Sequence, residues 1–173
     1  DITQRARRTQ FAAARSFLDR LAPPRVLVLP GNHDVPLFDL FSRVFRPYAN
    51  YRAVFGDTRE PELDMPDLLV IGVDATRSWR HTDGELSRSQ IERGSERLRL
   101  AGADQLRLVV THQPLHVIRA EDEHDRTHGS VDALSEWSAA GVDVVMGGHI
   151  HLPYVRAVHE HFTELPRRLW CVQ

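Results

Sequence analysis

Three short apolar runs, each followed at once by a polar cluster, constrain this chain more than any other feature. They are Arg25 to Leu29, Leu106 to Val110 and Val142 to Met146. Continuous apolar runs of this length, bounded by turn residues, are typical of strands that are buried on both faces of a sheet. Segments with helical patterns lie between them. The chain is therefore predicted to have an α/β fold in which helices cover the sheet.

The remaining segments continue this alternation of helix and strand. Ser87 and Gln90 have the spacing of a capping box, which marks the start of a helix, and Gly102 and Gly141 are stop signals. Helices are predicted over Thr3 to Leu21, Leu37 to Phe45, Ser87 to Gly102 and Ser130 to Ala140. Further strands are predicted over Asp67 to Val73, Tyr154 to Val158 and Leu169 to Val172.

Composition bounds the class of protein. The 173 residues suffice for one domain with a substantial core, and no internal repeat or low-complexity linker divides them. The net charge of −2 gives nonspecific nucleic-acid binding no electrostatic support, although nucleic acid is not excluded as a substrate. The single cysteine, Cys171, excludes an internal disulfide and favours a reducing, cytoplasmic location. No apolar run is long enough to span a membrane, so no membrane partner is expected.

The polar clusters contain residue types that bind metal ions. The clusters are Gly31-Asn32-His33-Asp34, Thr111-His112-Gln113-Pro114 and Gly147-Gly148-His149-Ile150-His151. Each cluster follows a predicted strand, and ligands of open α/β sheets bind beyond the carboxyl ends of the strands. We therefore expect the three clusters to converge at one edge of the sheet.

The donor atoms of these clusters suit divalent metals. Imidazole nitrogens, an asparagine carbonyl and carboxylates fit Mn, Fe or Zn, and the clusters have no thiolate for a structural zinc site. A single histidine after a strand is usually an ordinary loop residue. His149 and His151 would point to opposite faces of an extended segment, which suits two different metals. Taken together and in this order, the clusters favour a metal site.

The ordered motifs resemble those of the calcineurin-like metallophosphoesterases. The signature of that family runs Asp-x-His, Gly-Asp, Gly-Asn-His-Asp/Glu, His and Gly-His-x-His. Its last three elements match Gly31 to Asp34, His112 and Gly148 to His151, and Asp1 looks like the aspartate of Gly-Asp. The form of the Gly31 motif and the overall length look closest to the bacterial cyclic-nucleotide phosphodiesterase-like branch. The resemblance implies a sandwich of two sheets flanked by helices.

The resemblance also implies two divalent metal ions and their ligands. Asp1 would bridge the two ions. Asn32, His112 and His149 would complete the second site. His151 would bind the first ion. The Asp-x-His element is absent from the chain, so the first site lacks two of its ligands. We therefore expect residues 1–173 to be one catalytic domain that is truncated at both ends, with its N-terminal strands missing.

The implied chemistry is hydrolysis of a phosphate ester by a hydroxide that bridges the metals. His33 would face the phosphate and assist the leaving group, and Asp34 would orient His33. The expected substrate is a small phosphodiester such as a cyclic nucleotide, while phosphomonoesters, nucleotide pyrophosphates and nucleic-acid ends stay open. The alternative is a non-catalytic scaffold or interaction module with the same fold, which the presence of both residues disfavours. The oligomeric state is not predicted.

Three other features have two interpretations each. Asp74 follows a predicted strand and either supports the site or forms a loop turn, which we favour. Trp79 to His81 either touch substrate or form a surface loop, and the loop is favoured. The acidic stretch from Glu121 to His128 either forms a lid or a solvated loop, and again the loop is favoured.

Overall fold

The computed structural model describes all residues, 1–173, and contains one six-stranded sheet with five α-helices. The helices are α1 (Arg8–Leu21), α2 (Leu40–Phe45), α3 (Ala49–Phe55), α4 (Arg88–Arg99) and α5 (Ser130–Ala140). The strands are β1 (Glu62–Met65), β2 (Leu68–Gly72), β3 (Leu106–Val110), β4 (Val144–Met146), β5 (Val155–Ala157) and β6 (Trp170–Val172). Short 3-10 turns are formed by Asn32–Asp34, Ala120–Asp125 and Val158–Glu160.

The centre of the sheet is parallel, and its two edges are antiparallel. The strand order is β1-β2-β3-β4-β6-β5, in which β2, β3, β4 and β6 run parallel. The edge strands β1 and β5 pair antiparallel with β2 and β6. The predicted α/β class is confirmed. The chain forms a single sheet, and the second sheet that the resemblance implies stays a prediction.

The prediction of a strand from Arg25 to Leu29 is wrong. This segment joins no ladder of the sheet, and Val26 is 46% exposed. It pairs with neither edge strand, β1 or β5, and the central strand β2 already has β1 and β3 as its partners. The segment instead follows the small cluster around α1 and α3, where the Tyr51 hydroxyl donates to the Val28 carbonyl at 2.9 Å.

Two predicted helices begin later than expected, and each delay has a local cause. The predicted start at Thr3 fails because the backbone N–H groups of Ile2 and Thr3 donate to the Asp34 carboxylate. The predicted start at Leu37 moves to Leu40, because Asp39 caps α2 by accepting from the backbone N–H of Ser42 at 3.0 Å. The short elements β1 and α3 were not predicted from the sequence.

The core is divided into two unequal clusters. The larger has 18 buried residues from the sheet, α4 and α5, and Trp137 at its centre is fully buried. Gly94 lets α4 approach α5 closely, since a Cβ there would lie 2.7 Å from Trp137 Nε1. The smaller cluster has five buried residues, including Phe11 and Tyr51, whose rings meet edge to face at 6.2 Å. No helix is both long and apolar enough to cross a membrane.

Candidate functional site

The loops after β3 and β4 are held side by side at the carboxyl edge of the sheet. The backbone N–H of Thr111 donates to the Met146 carbonyl at 3.0 Å, and that of Gly148 donates to the His112 carbonyl at 2.9 Å. Because the two strands are parallel neighbours, both loops leave the sheet at the same edge. The rings of His112 and His149 consequently meet, with their centroids 5.3 Å apart.

The buried carboxylate of Asp34 attaches the first residues of the chain to the Gly31 turn. One carboxylate oxygen accepts from the backbone N–H groups of Gly31 at 2.8 Å and Ile2 at 2.9 Å. The other accepts from the backbone N–H and the hydroxyl of Thr3, at 2.7 and 2.8 Å. Hydrogen bonds to a charged, buried acceptor are among the stronger ones in proteins. Asp34 thereby places Asp1 beside Asn32 and His33.

Side chains from both sides of the site meet at one point. His112 Nε2 lies 3.0 Å from Asn32 Oδ1 and 3.3 Å from Asp1 Oδ1. Gly31 is required for this approach, since a Cβ there would collide with Asp1 Oδ1 and His112 Cε1. His112 therefore contacts two other predicted ligands, although 111 residues separate it from Asp1.

The histidines of the last motif are placed differently from each other. His149 lies next to His112, and its Nε2 is 3.3 Å from Asp125 Oδ1. Both of these side chains are largely buried, with 10% and 17% of their surface exposed. His151 is exposed and makes no hydrogen bond or ion pair with another predicted ligand. Both histidines of the motif have positive φ angles, 75° and 54°, so the chain turns sharply here instead of extending.

Burial keeps the two central histidines neutral. Burial, then the neighbouring His149, lowers the pKa of His112 well below its usual range. Burial also lowers the pKa of His149, while the nearby Asp125 carboxylate acts in the opposite direction. A neutral imidazole has a free nitrogen lone pair, which is the form that binds a cation.

The donor set fits one metal position better than two. Asp1 and Asn32 supply carboxylate and amide donors that both lie beside the His112 imidazole, a chemistry that suits Mn, Fe or Zn. No group of three His, Cys, Asp or Glu side chains is arranged to hold a metal ion. The donor beside Asp1 and His112 is the amide of Asn32, and His149 is turned toward Asp125. His151 lies apart from this group. The ligand roles of these five residues stay predictions.

The carboxylate of Asp34, which is expected to orient His33, does not contact the His33 ring. Both Asp34 oxygens are used by the N-terminal segment and Gly31, and neither contacts the His33 ring. His33 Nδ1 instead lies 3.1 Å from the carbonyl oxygen of Gln4, and its backbone N–H donates to Asp1 Oδ1 at 3.0 Å. Asp34 thus positions His33 only through the backbone of this turn.

A cleft of about 430 Å³ opens beside His33, and we call it the His33 cleft. Its walls include Gln4, Arg5, Asn32, His33, Phe38 and His81. Of the loop from Trp79 to His81, the last residue reaches the site, where its carbonyl accepts from Asn32 Nδ2 at 3.3 Å. Trp79 lies in a different cleft, which the buried Asp74 also lines.

Sequence reasoning missed Gln4 and Asp125 as neighbours of the site. Gln4 contributes a backbone carbonyl, and nothing in its side-chain type signals that contact. Asp125 lies in the acidic stretch that was interpreted as a solvated loop, and only its distance from His149 distinguishes it from the other acids there.

One comparison with known proteins identifies a family. The family model described as calcineurin-like phosphoesterase matches residues 1–153, which include every predicted ligand. No curated protein matches the chain.

Proposed function

This chain belongs to the calcineurin-like phosphoesterase family, and we propose that it hydrolyses phosphodiesters at the site formed by Asp1, Asn32, His33 and His112. Membership supports metal-dependent hydrolysis of phosphate esters in general. The preference for diesters, cyclic nucleotides among them, rests on the aspartate at the last position of the Gly31-Asn32-His33-Asp34 motif, where the family has aspartate or glutamate. The carrying observation is the contact of His112 with both Asn32 and Asp1.

The predicted ligands divide between two metal positions. Asn32, His112 and His149 would hold one divalent cation together with Asp1, which would share its carboxylate with a second cation at His151. Cations bound there supply Lewis-acid activation of water and neutralise charge on the phosphoryl oxygens. The buried, neutral state of His112 and His149 suits this role because neither must lose a proton to bind.

His33 is proposed to donate a proton to the leaving oxygen. As an imidazolium, it would donate Nδ1–H to the Gln4 carbonyl, which fixes the ring, and would give the Nε2 proton to the leaving oxygen. The backbone N–H of His33 holds Asp1 Oδ1, so the proton donor and a metal-binding carboxylate keep a fixed separation. A positioned imidazole of this kind contributes typically about 10²–10⁴-fold to a rate.

The proposal is tested by a hydrolysis screen of the full-length protein with Mn²⁺. The panel contains cyclic nucleotides, a generic diester and a generic monoester, each with and without a chelator. We expect metal-dependent hydrolysis that favours diesters, is lost in His112→Ala and is kept in the control His161→Ala, whose exposed side chain makes no hydrogen bond or ion pair. Hydrolysis of none of these esters with metal present would refute the catalytic role, and a preference for monoesters would refute the diester assignment.

A further inference from the structure

Six large apolar side chains are exposed in one stretch beside the His33 cleft. They are Leu37, Phe38, Leu40, Phe41, Val44 and Phe45, with exposed fractions from 39% to 81%, and we call them the apolar face. Single exposed apolar residues are common, but a contiguous group of this size usually marks a binding surface.

The apolar face is turned outward by the polar residues of α2. Leu40, Phe41, Val44 and Phe45 lie on one side of this helix by their spacing. Arg43 faces inward instead, where its guanidinium donates to the carbonyls of Pro36 at 3.1 Å and Arg80 at 2.7 Å. The helix is thus anchored through a charged residue and presents its apolar side to solvent, opposite to an ordinary surface helix.

The apolar face is continuous with the candidate site. Leu37 and Phe38 line the His33 cleft together with Asn32 and His33. A group attached to a phosphorus atom at His33 therefore meets Phe38 first and can continue along α2.

Positively charged side chains also line the His33 cleft. Arg5 and Arg7 are exposed there, and neither guanidinium makes a hydrogen bond or ion pair within the chain. Asp39 is the only acidic residue that lines the cleft, and its carboxylate caps α2. The cleft therefore combines an apolar wall with a wall that attracts anions.

We propose that the substrate is an amphiphile, an anionic phosphate ester whose apolar chain lies on the apolar face. This inference rests on the proposed function and adds the class of substrate. The arginine wall would hold the anionic head, and Phe38 and Phe41 would contact the start of the chain. An alkyl chain fits this surface because it needs no hydrogen-bond partner, and the face offers none.

The test is a series of 4-nitrophenyl alkyl phosphates, from methyl to dodecyl, assayed with Mn²⁺ below their critical micelle concentrations. The test variant carries both Phe38→Ser and Phe41→Ser. The control is Leu100→Ser at the C-terminal end of α4, because Leu100 is 79% exposed and Phe38 is 81% exposed. The readout is the ratio of kcat/KM for long and short chains within each protein, which does not depend on the folded fraction.

We expect kcat/KM to rise about twofold for each added methylene group until the alkyl chain covers the apolar face. This is the gain expected if each methylene loses about half of its contact with water, since full burial is worth about 0.8 kcal/mol. The double variant should lower the dodecyl-to-methyl ratio at least tenfold, and Leu100→Ser should leave it unchanged. Calorimetry with dodecyl and methyl phosphonates measures the same preference without turnover. If no ester is hydrolysed, the proposed function is refuted, and the binding measurement still tests the inference about the substrate.

Three results would overturn the inference. The first is a wild-type protein that does not distinguish chain lengths in either experiment. The second is a chain-length preference that survives in the double variant. The third is a double variant that changes only the sedimentation of the protein, because the face would then join two copies of the chain.

Discussion

The two halves of the candidate site are built by different physical means. The sheet half, formed by the strands with α4 and α5, supplies His112 and His149 from loops that follow paired parallel strands over an 18-residue core. The N-terminal half, formed by residues 1–55, supplies Asp1, Asn32 and His33 without a single strand. Its core has only five buried residues.

Packing holds one half in place, and a polar clamp holds the other. In the sheet half, ladders and buried side chains fix where each loop begins. In the N-terminal half, four hydrogen bonds to Asp34 fix Asp1 and the Gly31 turn. Substitutions in the two halves should therefore fail in different ways, which the following variants can separate.

His33→Ala tests whether the N-terminal half contributes chemistry as well as ligands. We expect turnover of a substrate with a poor leaving group to fall roughly 10²–10⁴-fold, because the leaving oxygen loses its proton donor. Metal content, measured on the same sample, should stay unchanged. Unchanged turnover, or a loss of metal that accounts for the whole effect, would contradict the assigned role. The exposed His161 gives the matched control, His161→Ala.

Trp137→Ala and Phe11→Ala compare the two cores directly, since both side chains are fully buried. Truncating a buried aromatic costs about 3–5 kcal/mol of unfolding free energy. For Trp137→Ala we expect that loss in denaturant unfolding, with faster hydrogen exchange throughout the sheet, α4 and α5. For Phe11→Ala we expect faster exchange confined to α1 and α3. A uniform loss of protection in both variants would show that the halves unfold as one unit.

Asp34→Asn breaks the polar clamp while conserving shape. The new amide group would face two of the four N–H or O–H donors, so two buried donors lose their acceptor, at about 1–3 kcal/mol each. We expect a lower unfolding free energy and weaker metal binding, because Asp1 is no longer held beside His112. The control is Asp39→Asn at the exposed cap of α2, where asparagine caps as well as aspartate does. Equal stability of the two variants would exclude a clamp.

Asp125→Asn tests the acidic contact to His149. The carboxylate lies 3.3 Å from His149 Nε2 and can hold the ring so that its other nitrogen faces a metal. Loss of such a partner typically lowers metal affinity about 10–100-fold. Calorimetric titration with Mn²⁺ measures this directly, and Asp122→Asn in the same loop is the control. An unchanged affinity would mean that the contact is incidental.

The sheet half could be predicted from the sequence because segments with a strand-like apolar pattern do pair as strands in the structure. The apolar runs of β2 and β3 are followed by α4, which Ser87 caps, and by α5, which ends before Gly141, and β2, β3 and β4 all pair in the sheet. Arg25 to Leu29 has the same local signal and forms no strand, since ladder pairing depends on which edges are free. That property belongs to the whole sheet and is not encoded in five residues.

The residue types of the site could be predicted, but several of their contacts could not. The motifs indicated Asn32, His112 and Asp1, which the structure brings together. The partners of Asp34 and of His149 lie about 30 and 24 residues away along the chain, and no spacing rule connects them. Short-range motifs identify donor atoms, whereas the hydrogen bonds that aim those donors depend on tertiary packing.

The most direct test of the metal site is anomalous diffraction from crystals of the full-length protein grown with Mn²⁺. We predict a strong peak in contact with Asp1 and Asn32 from the N-terminal half and with His112 from the sheet half, with His149 completing its ligands. Such a peak would show that the two differently built halves form one metal site. A peak bound only by residues of the sheet half, or metal bound away from both halves, would contradict this assignment.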